Sequence, residues 1–402
     1  MPAPTPSSPT PPPRPRLPAA IWALGTVSML MDVSSELIHS LLPVFMTTVL
    51  GASMLTVGLL EGAAEALALV IKVFSGTLSD WWGRRKPLAV MGYGLAALSK
   101  PLFALAGSTG AVVTARMMDR VGKGLRGAPR DALIADIVPE GMRGAAFGLR
   151  QSLDTIGAFA GPALAVFFML LWADDFRAVF WIAVIPAMLS VALLAFGVSE
   201  PDPPPREKRL NPLSRENLRR LGGSCWWVVA VGAVFTLARF SEAFLVLRAQ
   251  QGGLALAWAP LVLIAMNVVY ALGAYPMGRL ADRMDHRTLL ALGLVVLVVA
   301  DLLLAVAGSG PLLWAGILLW GLHMAMTQGL LAAMVAEAAP ADLRGTAFGV
   351  FNLASGVALL LASGIAGWLW DRWGADTTFV AGAVFALVAL GGLYLRRPVV
   401  VS

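Results

Sequence analysis

A helix that crosses a bilayer needs about 20 mainly apolar residues, and the chain offers twelve such segments in succession. They lie near 20–48, 54–79, 87–107, 110–137, 145–171, 177–198, 224–248, 257–280, 287–308, 311–338, 345–369 and 377–395. Polar residues interrupt the first, fourth, seventh and tenth. The pattern predicts an all-α membrane protein with twelve transmembrane helices.

Composition agrees with lipid rather than water as the solvent. Of 402 residues, 58% are hydrophobic and 13% charged, against about 25% charged in soluble proteins. Residues 1–18, rich in proline and serine, cannot bury a core and predict a disordered cytoplasmic tail. They are no signal peptide, because the apolar run that follows is too long and contains Asp32 and Glu36.

The net charge of +6 changes the picture only through its placement. Alternate loops and the two ends hold Arg14, Arg16, Arg84, Arg85, Lys86, Arg143, Arg206, Lys208, Arg209, Arg215, Arg219, Arg220, Arg283, Arg287, Arg344, Arg396 and Arg397. The other loops hold Arg177, Arg248 and Arg372. The positive-inside rule then puts both termini and the 199–222 linker in the cytoplasm. Basicity is thereby explained without nucleic acid.

Two sequence blocks recur. VPEGMRGAAFGL at 138–149 returns as APADLRGTAFGV at 339–350, an offset of 201, and GTLSDWWGRRK at 76–86 returns as GRLADRMDHRT at 278–288, an offset of 202. Six helices have been duplicated. The expected organisation is a tail at 1–18, an N-terminal six-helix bundle at 19–198, a linker at 199–222, a C-terminal six-helix bundle at 223–395 and a cytoplasmic tail at 396–402. Such pseudo-symmetric repeats pack around a central cavity and rock against each other.

The first block, with Gly76, Leu78, Asp80, Gly83, Arg84, Arg85 and Lys86, resembles the signature loop between helices 2 and 3 of the major facilitator superfamily. Its second copy keeps Gly278, Leu280, Asp282 and Arg287, with Asp285 where the family has glycine. Arg116–Gly124 resembles the family's helix 4 signature, with Arg120 in place of a glycine. Gly157, Gly161 and Pro162 resemble the helix 5 signature of proton-driven exporters, although Ala165 and Val166 replace its final glycines. The resemblance implies a secondary transporter of the inner membrane, working in export rather than import, with helices 1, 4, 7 and 10 lining the substrate path.

A conformational gate is expected at Gly76, Asp80, Gly83, Arg84, Arg85, Asp136, Asp282, Arg287 and Glu337. Asp80 would face the positive end of a neighbouring helix, Arg84 or Arg85 would pair with Asp136, and Arg287 with Glu337. The GxxxG spacing of Gly157 and Gly161 predicts close helix packing.

The fourth segment carries Arg116, Arg120, Lys123, Arg126 and Arg130 three or four residues apart, hence on one side of a helix. Each charge facing the centre of a bilayer costs about 2.5–3.5 kcal/mol, so the stripe must meet protein partners or a wet cavity. The second repeat has Ile317, Gly321, Met324, Thr327 and Leu331 at these positions, so the stripe is not an architectural requirement. The cavity is expected to be lined by Asp32, Glu36, Arg116, Arg120, Lys123, Arg239, Glu242, His323 and Gln328, with Glu61, Glu65 and Lys72 as interhelical partners. His323 is either a substrate or titrating residue or a hydrogen-bonded packing residue.

GxGxxG at Gly122, Gly124 and Gly127 is no dinucleotide site, lacking the βαβ context; these glycines and Pro129 are expected to loosen or kink the fourth helix. GxxxxGK[ST], HExxH and GxSxG are absent, as is any Cys/His set for a metal, with Cys225 the lone cysteine. No cofactor and no enzyme activity are expected. The expected partners are a small organic solute with an anionic or zwitterionic group, coupling protons and the lipid bilayer, around a monomer. The alternatives are an importer of an anionic solute or metal chelate, a nontransporting membrane sensor and a lipid-handling protein.

Overall fold

The computed structural model describes residues 17–139, 142–200, 215–281, 283–340 and 343–395, without the side chains of residues 80, 215, 394 and 395. The expected tails, most of the linker and Asp282 lie outside these residues. The first half comprises α1 (Ala19–His39), α2 (Leu42–Thr48), α3 (Met54–Trp82), α4 (Lys86–Leu105), α5 (Thr109–Ile137), α6 (Arg143–Leu171) and α7 (Phe176–Gly197). After the short α8 (Arg215–Arg220), the second half comprises α9 (Gly223–Leu237), α10 (Ala243–Gln251), α11 (Pro260–Ala281), α12 (His286–Val306), α13 (Pro311–Ala338), α14 (Arg344–Trp373) and α15 (Ala375–Leu395).

Ten of these segments are long and apolar enough to cross a membrane, α1 and α2 counting together as one. The other two crossings are α5, which carries the charged stripe, and α9 with α10, which is interrupted. Together they make the twelve helices of the fold.

Helix starts follow local chemistry. Ser53, Ser108, Asp175 and Asp285 accept from backbone N–H groups in the first turns of α3, α5, α7 and α12, satisfying donors that no helix can satisfy internally. The two repeat blocks differ here for a physical reason. Gly83 ends α3 with φ +70°, a left-handed conformation suited to glycine, whereas Asp285 stands at φ −59° and caps α12. An aspartate fits the second copy because its turn does not demand positive φ.

In the first half α1 packs on α6 and α7, and α5 on α3 and α4. In the second half α13 packs on α11 and α12, and α14 on α9 and α15. The halves meet along α3 and α14, along α6 and α11, and where α2 meets α10. Trp22, Phe74, Phe159, Phe167, Phe196, Leu272 and Val388 are exposed on the outside, an apolar surface suited to acyl chains.

The α3–α14 seam is built from small residues. A Cβ on Gly58 would overlap the Ser363 carbonyl, one on Gly62 would stand 2.7 Å from Leu360 Cα, and one on Gly367 would overlap the Met54 carbonyl. All three contacts lie on the face where the loops contain few arginines. There Asp371 of α14 also accepts from Met54 N at 2.9 Å and Leu55 N at 2.8 Å, capping a helix of the opposite half. The halves are therefore closed together on the arginine-poor face.

Candidate functional site

The first helix of each half is broken at the same repeat position. The α1–α2 break falls at Ser40 and Leu41, and the α9–α10 break at Ala238–Glu242; an offset of 201 carries Ser40 onto Ser241 and Leu41 onto Glu242. In the second break Ser241 N donates to Ser363 Oγ at 3.1 Å and Ala243 N to Ser241 Oγ at 3.2 Å. Irregular backbone at membrane depth persists where protein or a wet cavity satisfies it, and broken helices at the junction of repeats mark binding sites. The first and seventh segments, each expected as one helix over 20–48 and 224–248, are thus each corrected to two.

Around the first break lies a network of ion pairs. His39 Nε2 is 3.2 Å from Glu61 Oε2 and its Nδ1 is 3.4 Å from Glu36 Oε2. Arg116 Nη2 reaches the same Glu61 oxygen at 2.6 Å, and Arg120 Nη1 reaches Glu65 Oε1 at 2.8 Å. Lys100 Nζ donates to Asp119 Oδ1 at 2.7 Å and to Ser35 Oγ at 3.0 Å. The stripe on α5 is thus shared among α1, α3 and α4, as a low-dielectric environment requires of charges. Further along α5, Arg126 lies 4.9 Å over the Tyr93 ring, and Arg130 and Arg150 both pair with Asp131.

Arg116 and Arg120 are only 2% and 1% exposed. Their expected place on the cavity surface is corrected: they are buried against Glu61 and Glu65 and hold them. Lys123 is different, because it is exposed in mid-helix and makes no hydrogen bond or ion pair among the described residues. Asp32, Glu36 and Glu65 lie within its electrostatic range.

From the second half, Arg239 and Glu242 occupy the helix break, each half-buried. Glu242 lies within electrostatic range of His39, Glu36 and Glu65, and Arg239 within range of Glu65 and Tyr270. The two breaks thus bring charged groups of both halves toward one another. Gln328 is half-buried on α13.

His323 departs from its expected cavity position. It is fully buried, stacked on Phe235 with ring centroids 5.3 Å apart, and its Nδ1 lies 2.8 Å from the Gly293 carbonyl. Of the two expectations for this histidine, the geometry is that of packing. His39 and Lys100 were not among the expected site residues. His39 ends an apolar run and contacts Glu36 and Glu61, and Lys100 lies deep in another run and pairs with Asp119.

The helix 5 glycines seat α6 on α1 beside the acids. A Cβ on Gly157 would stand 2.7 Å from Met29 O and 3.0 Å from Asp32 Cβ, and one on Gly161 2.8 Å from Glu36 Cβ. The glycines of α5 act similarly: Gly122 lies against Gly92 and Ala96 of α4, and Gly124 against Ala68 and Ile71 of α3. α5 runs as one helix from Thr109 to Ile137 through Pro129, and its glycines serve close approach to α3 and α4.

On the arginine-rich face Arg85 Nε is 3.4 Å from Asp136 Oδ2 and Arg85 Nη1 donates to Ser79 Oγ at 2.9 Å. Glu200 accepts from the backbone N–H groups of Arg85 and Lys86. Arg84 is exposed, and Gly76 lies near Ala128. The Asp80 side chain lies outside the described residues. In the second half the expected Arg287–Glu337 pair is corrected: His286 pairs with Glu337 at 3.4 Å while Arg287 lies 5.2 Å over Trp227.

Two of the three arginines on the arginine-poor face hold helix ends. Arg177 donates to the Ala106 carbonyl after α4, and Arg248 to the Leu304 and Ala305 carbonyls at the end of α12, as suits cations at helix C-termini. No group of three or more His, Cys, Asp or Glu is placed to hold a metal among the described residues.

The profile of the Major Facilitator Superfamily matches residues 24–266 and 251–402. An uncharacterised MFS-type transporter of Methanocaldococcus jannaschii is 32% identical over 375 residues, covering 92% of each chain. The inner membrane transport protein YajR of Escherichia coli is 25% identical, covering 92% of this chain and 82% of its own. Among solved structures, the nucleoside transporter NupG superposes with a TM-score of 0.77 at 13% identity, over 94% of this chain and 98% of its own.

Proposed function

The chain belongs to the major facilitator superfamily, and from that membership we propose that it is a proton-coupled secondary transporter that exports a small organic solute bearing an anionic or zwitterionic group. That it is a multi-pass membrane transporter of this family in a general sense follows from the match itself. The finer reading is carried by Lys123: a cation exposed in mid-membrane, without an ion-pair partner among the described residues, facing the acids Asp32, Glu36 and Glu65.

In this reading the bundles at 19–198 and 223–395 rock about the breaks in their first helices. Substrate enters from the cytoplasmic, arginine-rich side and is held between Lys123 and the Arg239–Glu242 segment. Arg116 and Arg120 keep Glu61 and Glu65 aimed, while Asp32, Glu36 and Glu242 exchange protons as the cavity changes sides. Burial and a nearby cation act oppositely on a carboxyl group, so alternating hydration alters its proton affinity. Arg85 with Asp136 belongs to the cytoplasmic gate, both termini and the linker are cytoplasmic, and the protein works as a monomer in the inner membrane. Catalysis plays no part.

The test begins with a thermal-stabilisation screen of purified protein against organic anions, zwitterions and cations. The best stabiliser is then followed as a radiolabelled solute in proteoliposomes under an imposed pH gradient. Expected are uptake into inside-out vesicles driven by an acidic lumen, and its loss in Lys123→Gln. Stabilisation by cations alone overturns the substrate class, gradient-independent flux overturns proton coupling, and binding without flux points to a sensor.

A further inference from the structure

The internal repeat sets two buried pairs in register. At an offset of 201, Lys100 corresponds to Asp301 and Asp119 to Trp320. In the first half Lys100 Nζ and Asp119 Oδ1 form an ion pair of 2.7 Å between α4 and α5. In the second half Trp320 Nε1 donates to Asp301 Oδ1 at 3.2 Å between α12 and α13. The same two positions thus hold a charge-balanced pair in one bundle and a carboxyl group with an uncharged indole in the other.

Asp301 is 0% exposed, and its Oδ2 makes no hydrogen bond among the described residues. A Cβ on Gly382 of α15 would stand 2.6 Å from this oxygen and 2.9 Å from Phe240 Cε1. Phe240 belongs to the break between α9 and α10 and stacks edge-on against Phe379 at 5.4 Å. The orphaned oxygen and Phe240, part of the segment that interrupts the seventh crossing, therefore meet the same spot on α15, at Gly382.

The neighbouring charges are few. From α13 comes His323, with Nδ1 engaged by the Gly293 carbonyl and Nε2 without a partner among the described residues. Arg239 and Glu242 flank Phe240 in the break. From α10 comes Arg248, held by the Leu304 and Ala305 carbonyls and by Asp376, the nearest charge of α15 in sequence. None of these forms an ion pair with Asp301.

We propose that Asp301 is a proton-binding residue of the second half, whose proton holds the helix break in its packed arrangement and whose loss to water accompanies opening of the arginine-poor face. The proposal rests on the proton-coupled, alternating-access reading above. This proton is taken up and released on the arginine-poor side, so it sets the balance between the closed and open arrangements, while Asp32, Glu36 and Glu242 carry the coupling proton across. A bare carboxylate buried from solvent, with no cation paired to it among the described residues, is strongly disfavoured, so the packed arrangement suits the neutral acid. Opening admits water, the O–H bond breaks, the proton leaves to solvent, and the carboxylate is hydrated. Movement of Phe240 couples this exchange to the break.

The test needs no substrate. Spin labels at Val49→Cys and Ala255→Cys, one on each half at the arginine-poor face, are placed in a Cys225→Ser background in lipid nanodiscs. Their separation is measured from mildly acidic to alkaline pH. The expected result is a short distance at acidic pH and a growing long-distance population at alkaline pH. Asp301→Asn, which mimics the neutral acid, keeps the short distance throughout, and His323→Gln keeps the parental profile. Trp320→Phe, which keeps the carboxyl group but removes its donor, displaces the midpoint by about one pH unit. A parental profile in both Asp301→Asn and Trp320→Phe overturns the inference and leaves proton coupling standing. A parental protein whose distances ignore pH overturns proton coupling and this inference together.

Discussion

At the scale of single residues, the charged side chains divide into those that are held and those that are offered. Glu61 is 2% exposed between Arg116 and His39, so Glu61→Gln strands a buried guanidinium and should lower stability by about 3–5 kcal/mol. Chemical denaturation in mild detergent measures this, and Arg116→Met in the same chain should restore part of the loss. Lys123→Gln should change stability by no more than about 0.5 kcal/mol while weakening solute binding about tenfold, or about 1.4 kcal/mol; titration calorimetry with the best stabiliser separates the two effects. The three- and four-residue spacing of the stripe made Arg116, Arg120 and their need for acids legible, and Glu61 and Glu65 emerged as the partners. Spacing could not say which cations would be buried behind their acids, because that depends on how closely α3 approaches α5. Asp301 escaped notice as a single polar residue in an otherwise apolar span, although the repeat offset placed it opposite Lys100.

At the scale of elements, the breaks and the glycine seams govern motion. Gly367→Val should push α14 away from α3, because a Cβ there already overlaps the Met54 carbonyl; the Val49–Ala255 label pair should shift toward its long distance. Asp371→Ala removes the carboxylate that accepts two N–H groups at the start of α3. Loss of such a cap is worth about 1 kcal/mol, which should shift the open population about fivefold in the same measurement. Hydrophobic runs revealed every crossing, but the interruption of the seventh was hidden. Residues 238–242 contain neither proline nor glycine, and the break is supported by Ser363 from another helix together with a local cap by the Ser241 hydroxyl, a weak signal within an apolar run. For α5 the sequence showed the glycines but not their use: tertiary contacts with α3 and α4 employ them for close approach.

At the scale of the whole molecule, duplication supplies two bundles with the same skeleton, and charge differentiates them. The first half holds the ion-pair network; the second contributes the broken helix with Arg239 and Glu242, and a packed His323 where a cavity residue was expected. The repeat was legible because its loop blocks recur at nearly constant offsets, and the asymmetry because the stripe has no counterpart at Ile317, Gly321, Met324, Thr327 and Leu331. Which face is closed was not legible, since the seam depends on approaches between helices far apart in sequence, such as Met54 to Asp371 across 317 positions. The central claim is a hydrated chamber reached from the arginine-rich face and sealed from the other. It is tested most directly by placing Lys123→Cys in a Cys225→Ser background and adding a membrane-impermeant maleimide to oriented vesicles. Labelling should occur from the arginine-rich face and be at least about tenfold slower from the opposite face, as expected for closure worth about 1.4 kcal/mol or more. Failure to label from the arginine-rich face, or equal labelling from both, would contradict the account.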